Sequence, residues 1–395
     1  MRNFLFVILM LMSLLFFGCE NSINSQKIDV PDTKNDSEPA DQDIQEEDAD
    51  VPETVEDADE PEVADEDGSP DTNADDDIPE TSDDTDTEEA EPVCDPTYDP
   101  VFCYGDYYVN TIDVAAGNNG APRQFRIYEP IDAQGKIPVI HFLHGFMYKL
   151  DFYDRFLMQL ASHGFIVVSS QSEHKLVKGD TTSKEAEKVA DFINWLKENL
   201  KTYITATPDF DNLGVSGHSR GGKVTNRLLN SNPTLAKSFF GVDPVDSELP
   251  IPGFISDDDP ESLHEPVQFK GESMFLGTEK GPKNKLNGDT AACAPKGDNS
   301  VNFYAAYPSP SHHIIAAGVG HADMVDPEDV KTCGIYCSTC AESGDSGMNI
   351  MFISYTGGLM TAFFNSTLKG QTEYENLLND PKDAYPFTTT LIEHK

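Results

Sequence analysis

The chain predicts an α/β domain, a mostly parallel sheet covered by helices on both faces, and two observations lead there. From Cys94 onward the composition turns globular, and short apolar runs alternate with amphipathic stretches at the spacing of βα units. Between Asp29 and Glu91 the composition is of a different kind, with almost nothing to bury. In order, residues 109–114 and 123–128 read as strands, and 139–143 as a buried central strand that ends at His144-Gly145. Residues 154–162 have a helical pattern and 165–169 form a short apolar strand. Residues 182–200 form a helix with Ala186, Val189, Ile193, Trp195 and Leu196 on its apolar face. Strands follow at 213–216, 239–242, 273–276 and 312–317, with a helix at 221–230, and a largely apolar helix at 348–368 closes the domain. No internal repeat is present.

The N-terminal quarter carries a different message. Between Asp29 and Glu91 there are 30 acidic residues against one basic residue, Lys34, with frequent Pro, Thr and Ala. Such a stretch repels itself and cannot offset the entropy of ordering, so it reads as an extended tether. It holds −29 of the chain's formal charge of −43, which leaves −14 for the rest. A remainder that is still acidic argues against nucleic acid as a partner. In front of the tether, Met1 and Arg2 precede an apolar run from Phe4 to Phe17 and then Gly18-Cys19. The run is short for a membrane span and fits a secretory signal. A small residue before a cysteine resembles the bacterial lipobox, although Phe16 stands where Leu is usual. The expected organisation is a signal peptide at 1–18, a lipid-bearing Cys19 with an acidic linker at 19–93, and a catalytic domain at 94–395. That makes the chain an exported lipoprotein, at the cell surface or in the periplasm, held to a membrane through its N-terminal lipid.

Six cysteines follow Cys19: Cys94, Cys103, Cys293, Cys333, Cys337 and Cys340. An even number in an exported chain predicts disulfides. Cys94 and Cys103 flank a turn-rich segment at the start of the domain and are expected to pair. The remaining four supply two more bridges whose connectivity stays open. The Cys333, Cys337 and Cys340 spacing also suits zinc, but zinc needs a fourth ligand and reduced thiols, so no metal is expected.

The sharpest chemical signal is Gly217-His218-Ser219-Arg220-Gly221, with Gly222 behind it. An apolar run precedes it and a helical pattern follows, which is the context of a nucleophile elbow: a serine on a strained strand-to-helix turn between glycines that avoid clashes. A serine hydroxyl needs a neighbouring base, and the base needs a carboxylate to orient it. His321, in the loop after the last apolar strand, is the candidate base. His141, His312 and His313 lie within strand patterns, His163 lies at a helix end, and His218 is the variable residue of the elbow. For the acid, Asp243 follows strand 239–242 and Glu279 follows strand 273–276, while Asp246 and Asp323 lie close by. Backbone N–H groups must also meet the oxyanion, and Arg220 and Phe146 are the candidates, the latter in the turn after strand 139–143.

Six separate segments make the domain similar to the plant-type chlorophyllases and their bacterial relatives among the α/β-hydrolases: PVIHFLHGF at 138–146, ASHGFIVV at 161–168, GHSRGGK at 217–223, GVDPVD at 241–246, LGTEKGP at 276–282 and GHADMVD at 320–326. The likeness spans residues 108–370. The resemblance implies the α/β-hydrolase fold and ester hydrolysis by Ser219, Asp243 and His321. It implies a small-molecule ester as partner and no metal or organic cofactor. Two departures stand out. Ser247 occupies a position where the family often has Gly, and the anchor with its tether has no counterpart in the plant enzymes. The expectation is therefore an extracytoplasmic carboxylic ester hydrolase working through an acyl-enzyme on Ser219. The alternative is a surface-tethered binding or scaffold protein on an inactive hydrolase fold. No obligate protein partner is evident.

Overall fold

The apolar runs form the middle of the sheet. In the computed structural model, β3 (Lys136–Leu143) pairs in parallel with β4 (Ile166–Ser170) on one side and β5 (Thr207–His218) on the other. Parallel pairing continues through β6 (Ser238–Val242), β7 (Glu272–Thr278) and β8 (Ser311–Ala316). Antiparallel strands close both ends: β1 (Val109–Val114) and β2 (Phe125–Pro130) beyond β4, and β9 (Thr389–His394) beyond β8. The nine strands among the described residues run β1-β2-β4-β3-β5-β6-β7-β8-β9. The structure describes residues 94–146, 148–172, 180–247, 260–283, 292–327, 346–382 and 384–395. Residues 1–93, which include the expected signal peptide, Cys19 and acidic linker, and Cys333, Cys337 and Cys340 lie outside them.

The central strands are buried on both faces, so their side chains feed two cores alternately. Val139 and Leu143 pack under α2 (Thr182–Asn199), α3 (Arg220–Ser231) and the short α4 (Ser300–Ala306), with Phe192, Val224 and Phe303 from those helices. Ile140 and Phe142 face the other side, beneath α1 (Asp154–Ser162) and α5 (Ser346–Lys369), with Phe156, Phe352 and Phe363. This is the α/β-hydrolase architecture expected from the sequence. α5 is apolar all round because it is a core helix. Its Gly357 and Gly358 allow close approach, since an added Cβ would lie 2.5 Å from Gln159 and 2.1 Å from Phe102. Phe102 is delivered there by the loop that Cys94 and Cys103 close; the two are disulfide-bonded with Cα atoms 5.6 Å apart. Its ring stacks on Tyr385 at 4.9 Å. Cys293 is also disulfide-bonded.

Differences from the sequence reading have simple causes. β5 starts at Thr207 because its polar first half continues the ladder against Lys136–Pro138, past a register shift between Pro138 and Val139. β9, α4 and α6 (Glu375–Asn379) have no long apolar pattern to announce them. Parallel strands end together, so the loops after β3, β5, β6, β7 and β8 gather along one edge, the usual place for a site in such a sheet.

Candidate active site

Ser219 sits between the last residue of β5 and the first of α3, at φ 55° and ψ −123°. That strained backbone is held by neighbours on both sides. The Ser219 N–H donates to the Val242 carbonyl at 3.2 Å, and the Val245 N–H donates to the Ser219 carbonyl at 3.2 Å. The turn is so tight that only glycines fit around it: a Cβ on Gly217 would come within 2.5 Å of the Gly221 backbone, and one on Gly221 within 2.2 Å of the Leu143 carbonyl. The loop after β3 is pressed onto the same turn. A Cβ on Gly145 would meet the Ser219 Cβ at 3.2 Å. Phe146 and Arg220 are thereby brought to the serine, Phe146 as the next residue of that loop and Arg220 as the first residue of α3. The first N–H groups of a helix have no intrahelical acceptor, so this end of α3 suits a developing negative charge.

Asp243 follows β6 directly, buried and at φ 37°. Its Oδ2 lies 2.8 Å from His321 Nδ1. A carboxylate accepts there, so Nδ1 carries the hydrogen and Nε2 is left as the basic nitrogen. Thr278, at the end of β7, fixes the carboxylate: its N–H donates to Oδ1 at 3.2 Å and its hydroxyl to Oδ2 at 2.8 Å. The Gly281 N–H in turn donates to the Thr278 hydroxyl oxygen at 3.2 Å. His321 is buried and its ring centroid lies 4.5 Å from that of His218, the residue before Ser219.

The rival carboxylates are occupied elsewhere. Glu279 is 37 % exposed at its side chain, pairs with Lys283 at 2.8 Å and accepts the Gly318 N–H at 2.9 Å. Asp246 accepts from the Ser262 and Leu263 N–H groups and braces the loop behind the elbow. Asp323 accepts the Gly320 N–H at 2.7 Å, inside the His321 loop.

Sequence reasoning did not see the polar layer beneath these groups. Arg220 forms an ion pair with Glu185 of α2, which is fully buried and also accepts the Ser172 hydroxyl. Burial pushes the Glu185 carboxyl up, but the Arg220 charge and the hydrogen bonds from Ser172 and Arg220 outweigh it and hold it below its usual value. The Arg220 side chain thus anchors the first residue of α3, directly after Ser219. His144 accepts the Ser172 N–H at Nε2, 2.7 Å away, and donates from Nδ1 to the Gly145 carbonyl at 2.7 Å. Burial pushes it down to about 4, so it stays neutral. Among the described residues no three His, Cys, Asp or Glu side chains converge as a metal site.

Two comparisons with known proteins place the chain in a family. Residues 97–394 match the model of the Chlorophyllase family. The chain is 31 % identical to Chlorophyllase-1 of Arabidopsis thaliana over 271 residues, covering 66 % of this chain and 81 % of that one. It is 29 % identical to Chlorophyllase-2 of the same plant over 261 residues, covering 63 % and 79 %. It is 31 % identical to Chlorophyllase type 0 of Chenopodium album over 295 residues, covering 71 % and 82 %. Elbow, buried acid–imidazole pair and sheet order all lie inside the matched region, and the chain belongs to the chlorophyllase family of α/β-hydrolases.

Proposed function

We propose that the chain is an exported serine hydrolase that cleaves carboxylic esters through an acyl-enzyme on Ser219, with His321 and Asp243 completing its triad. The observation that supports this most is the buried Asp243–His321 pair beside a serine on a strained strand-to-helix turn. With Nδ1–H committed to Asp243, the imidazole Nε2 takes the Ser219 proton as Oγ attacks the ester carbon. The backbone N–H groups of Arg220 and Phe146 receive the oxyanion. His321 then returns the proton to the leaving alcohol, and water repeats the sequence on the acyl-enzyme to release the acid. Membership of the chlorophyllase family supports a narrower version, in which the alcohol is a long prenyl chain and the acid a tetrapyrrole.

The expected result is that a fluorophosphonate probe labels the parent protein and not Ser219→Ala, and that the same substitution abolishes ester turnover. A labelled parent that turns over no ester in a panel varying acyl and alcohol length would contradict the substrate class. An unlabelled parent would favour the idle-scaffold alternative.

The same reading includes the N-terminus: removal of residues 1–18, lipid on Cys19, and residues 19–93 as an acidic spacer. Stable anchoring takes two or more acyl chains. Cys19→Ala protein should move from the membrane to the soluble fraction, and unchanged partitioning would remove the anchor.

A further inference from the structure

His218, the variable residue of the elbow, lies in the middle of a directed chain of hydrogen bonds that joins separate stretches of sequence. Its Nε2 is 3.0 Å from the carbonyl oxygen of His321. A carbonyl can only accept, so Nε2 carries the hydrogen. Its Nδ1 is 2.8 Å from the hydroxyl of Tyr153, the residue that caps the start of α1. Burial pushes His218 well below the usual histidine range, and the neighbouring His321 pushes it the same way, so the ring is neutral and Nδ1 is an acceptor. The Tyr153 hydroxyl must therefore donate to Nδ1, and its oxygen accepts the Gly145 N–H at 3.2 Å. The whole chain has one direction: Gly145 N–H to Tyr153, Tyr153 O–H to His218, His218 Nε2–H to His321.

The environment keeps it that way. The rings packed on His218 are Tyr148 at 5.6 Å, Tyr153 at 5.7 Å and His321 at 4.5 Å, with His144 contributing a weaker repulsion to its charged form. Burial raises both tyrosines above the usual phenol range, so neither presents a phenolate to the ring. Gly145 precedes Phe146, His321 is the base, and His218 precedes Ser219. One imidazole thus touches all three moving parts of the reaction.

We infer that His218 is a positioning residue, whose ring clamps the His321 loop and the Gly145–Phe146 turn to the elbow in one register. This deepens the serine-hydrolase reading above and rests on it. The clamp makes no contact with substrate; it acts by keeping Nε2 of His321 and the oxyanion donors aligned on Ser219. Misplacement of such groups by about 1 Å costs on the order of 100-fold in rate.

The test is steady-state ester hydrolysis by His218→Phe, which keeps a ring and removes both hydrogen bonds, beside His218→Gln, whose amide can still donate to the His321 carbonyl. The expected result is a kcat lower by about 100-fold in His218→Phe with KM within about threefold. His218→Gln should recover about tenfold of that loss. A His218→Phe enzyme within about threefold of the parent in kcat, or equal losses in both variants, would overturn the inference. Should His218→Phe fail to fold, imidazole ¹⁵N spectra of the parent decide it. They should show a Nε2–H tautomer that does not titrate between about pH 5 and 8, and a ring that titrates there overturns the clamp. Ser219→Ala separates the two layers. A parent as inert as Ser219→Ala sinks the hydrolase reading while the spectra still judge the clamp, and an active parent with unimpaired His218 variants sinks the clamp alone.

Discussion

Among the described residues, two groupings of serine, imidazole and carboxylate stand out, and they are not alike. In the first, Asp243 holds His321 beside the Ser219 elbow. In the second, the Ser300 hydroxyl is 3.2 Å from His313 Nε2, and His313 Nδ1 is 3.1 Å from the Glu393 carboxylate. Hydrogen-bond connectivity alone would rank the second as a triad. Everything else separates them. Asp243 is buried, whereas Glu393 is 42 % exposed at its side chain and weakened by solvent. Ser300 opens a helix of only seven residues, and its hydroxyl is pressed so close to β7 that a Cβ on Gly277 would lie 2.2 Å from it. Tyr304 stacks on the His313 ring at 5.3 Å. Ser300 sits in a packed helix–strand contact and not on a strained elbow, so the second chain is a clasp that ties β9 and α4 to β8. What sets Ser219 apart from Ser300 is the strained turn it occupies, more than the ring beside it.

The largest effect that could break this comparison lies in the carboxylates. Asp243→Asn should leave the fold intact and lower kcat by on the order of 10⁴, because the imidazole loses its tautomer partner. Glu279→Gln and Glu393→Gln should stay near the parent. A crippled Glu279→Gln beside a near-normal Asp243→Asn would move the acid to the strand after β6. Ser300→Ala completes the pair: turnover unchanged, with stability to urea lower by about 1 kcal/mol for the lost hydrogen bond.

A smaller effect, in stability against pH, sharpens the comparison from the side of the buried rings. Burial lowers His313 although Glu393 pulls it back, and burial takes His141 down to about 3 and His144 to about 4. Unfolded histidines bind protons near pH ~6.5, so below that value the unfolded state holds more protons than the native one. The stability these rings contribute is complete above about 6.5 and is lost as pH falls toward about 4 and then 3. Urea midpoints should drop between pH ~7.5 and ~5, and a flat profile would mean that the rings are solvated.

How much of this was legible before the structure depended on how local the signal was. The elbow sits within six consecutive residues, with its strand and helix in sequence contact, so Gly217 to Gly222 announced it. The central strands were legible because burial on both faces makes them uniformly apolar. β9, with the sequence TTLIEH at a half-exposed edge, offered no such contrast. The clamp at His218 was hidden for another reason: its partners, Tyr153 and His321, are 65 and 103 residues away, and only the sheet order brings them together. His218 therefore looked like a variable position of the elbow.

On the serine-hydrolase reading proposed above, the backbone of Ser219 sets thermal endurance against turnover. At φ 55° and ψ −123° the residue lies where glycine enters freely and other side chains are strained by about 1–3 kcal/mol. Ser219→Gly should relieve that strain while deleting the nucleophile, so the hardiest form of the protein is an inert one. A population selected for heat resistance alone would drift toward glycine at this position, and a serine that persists there would mark lineages in which the chemistry is still in use.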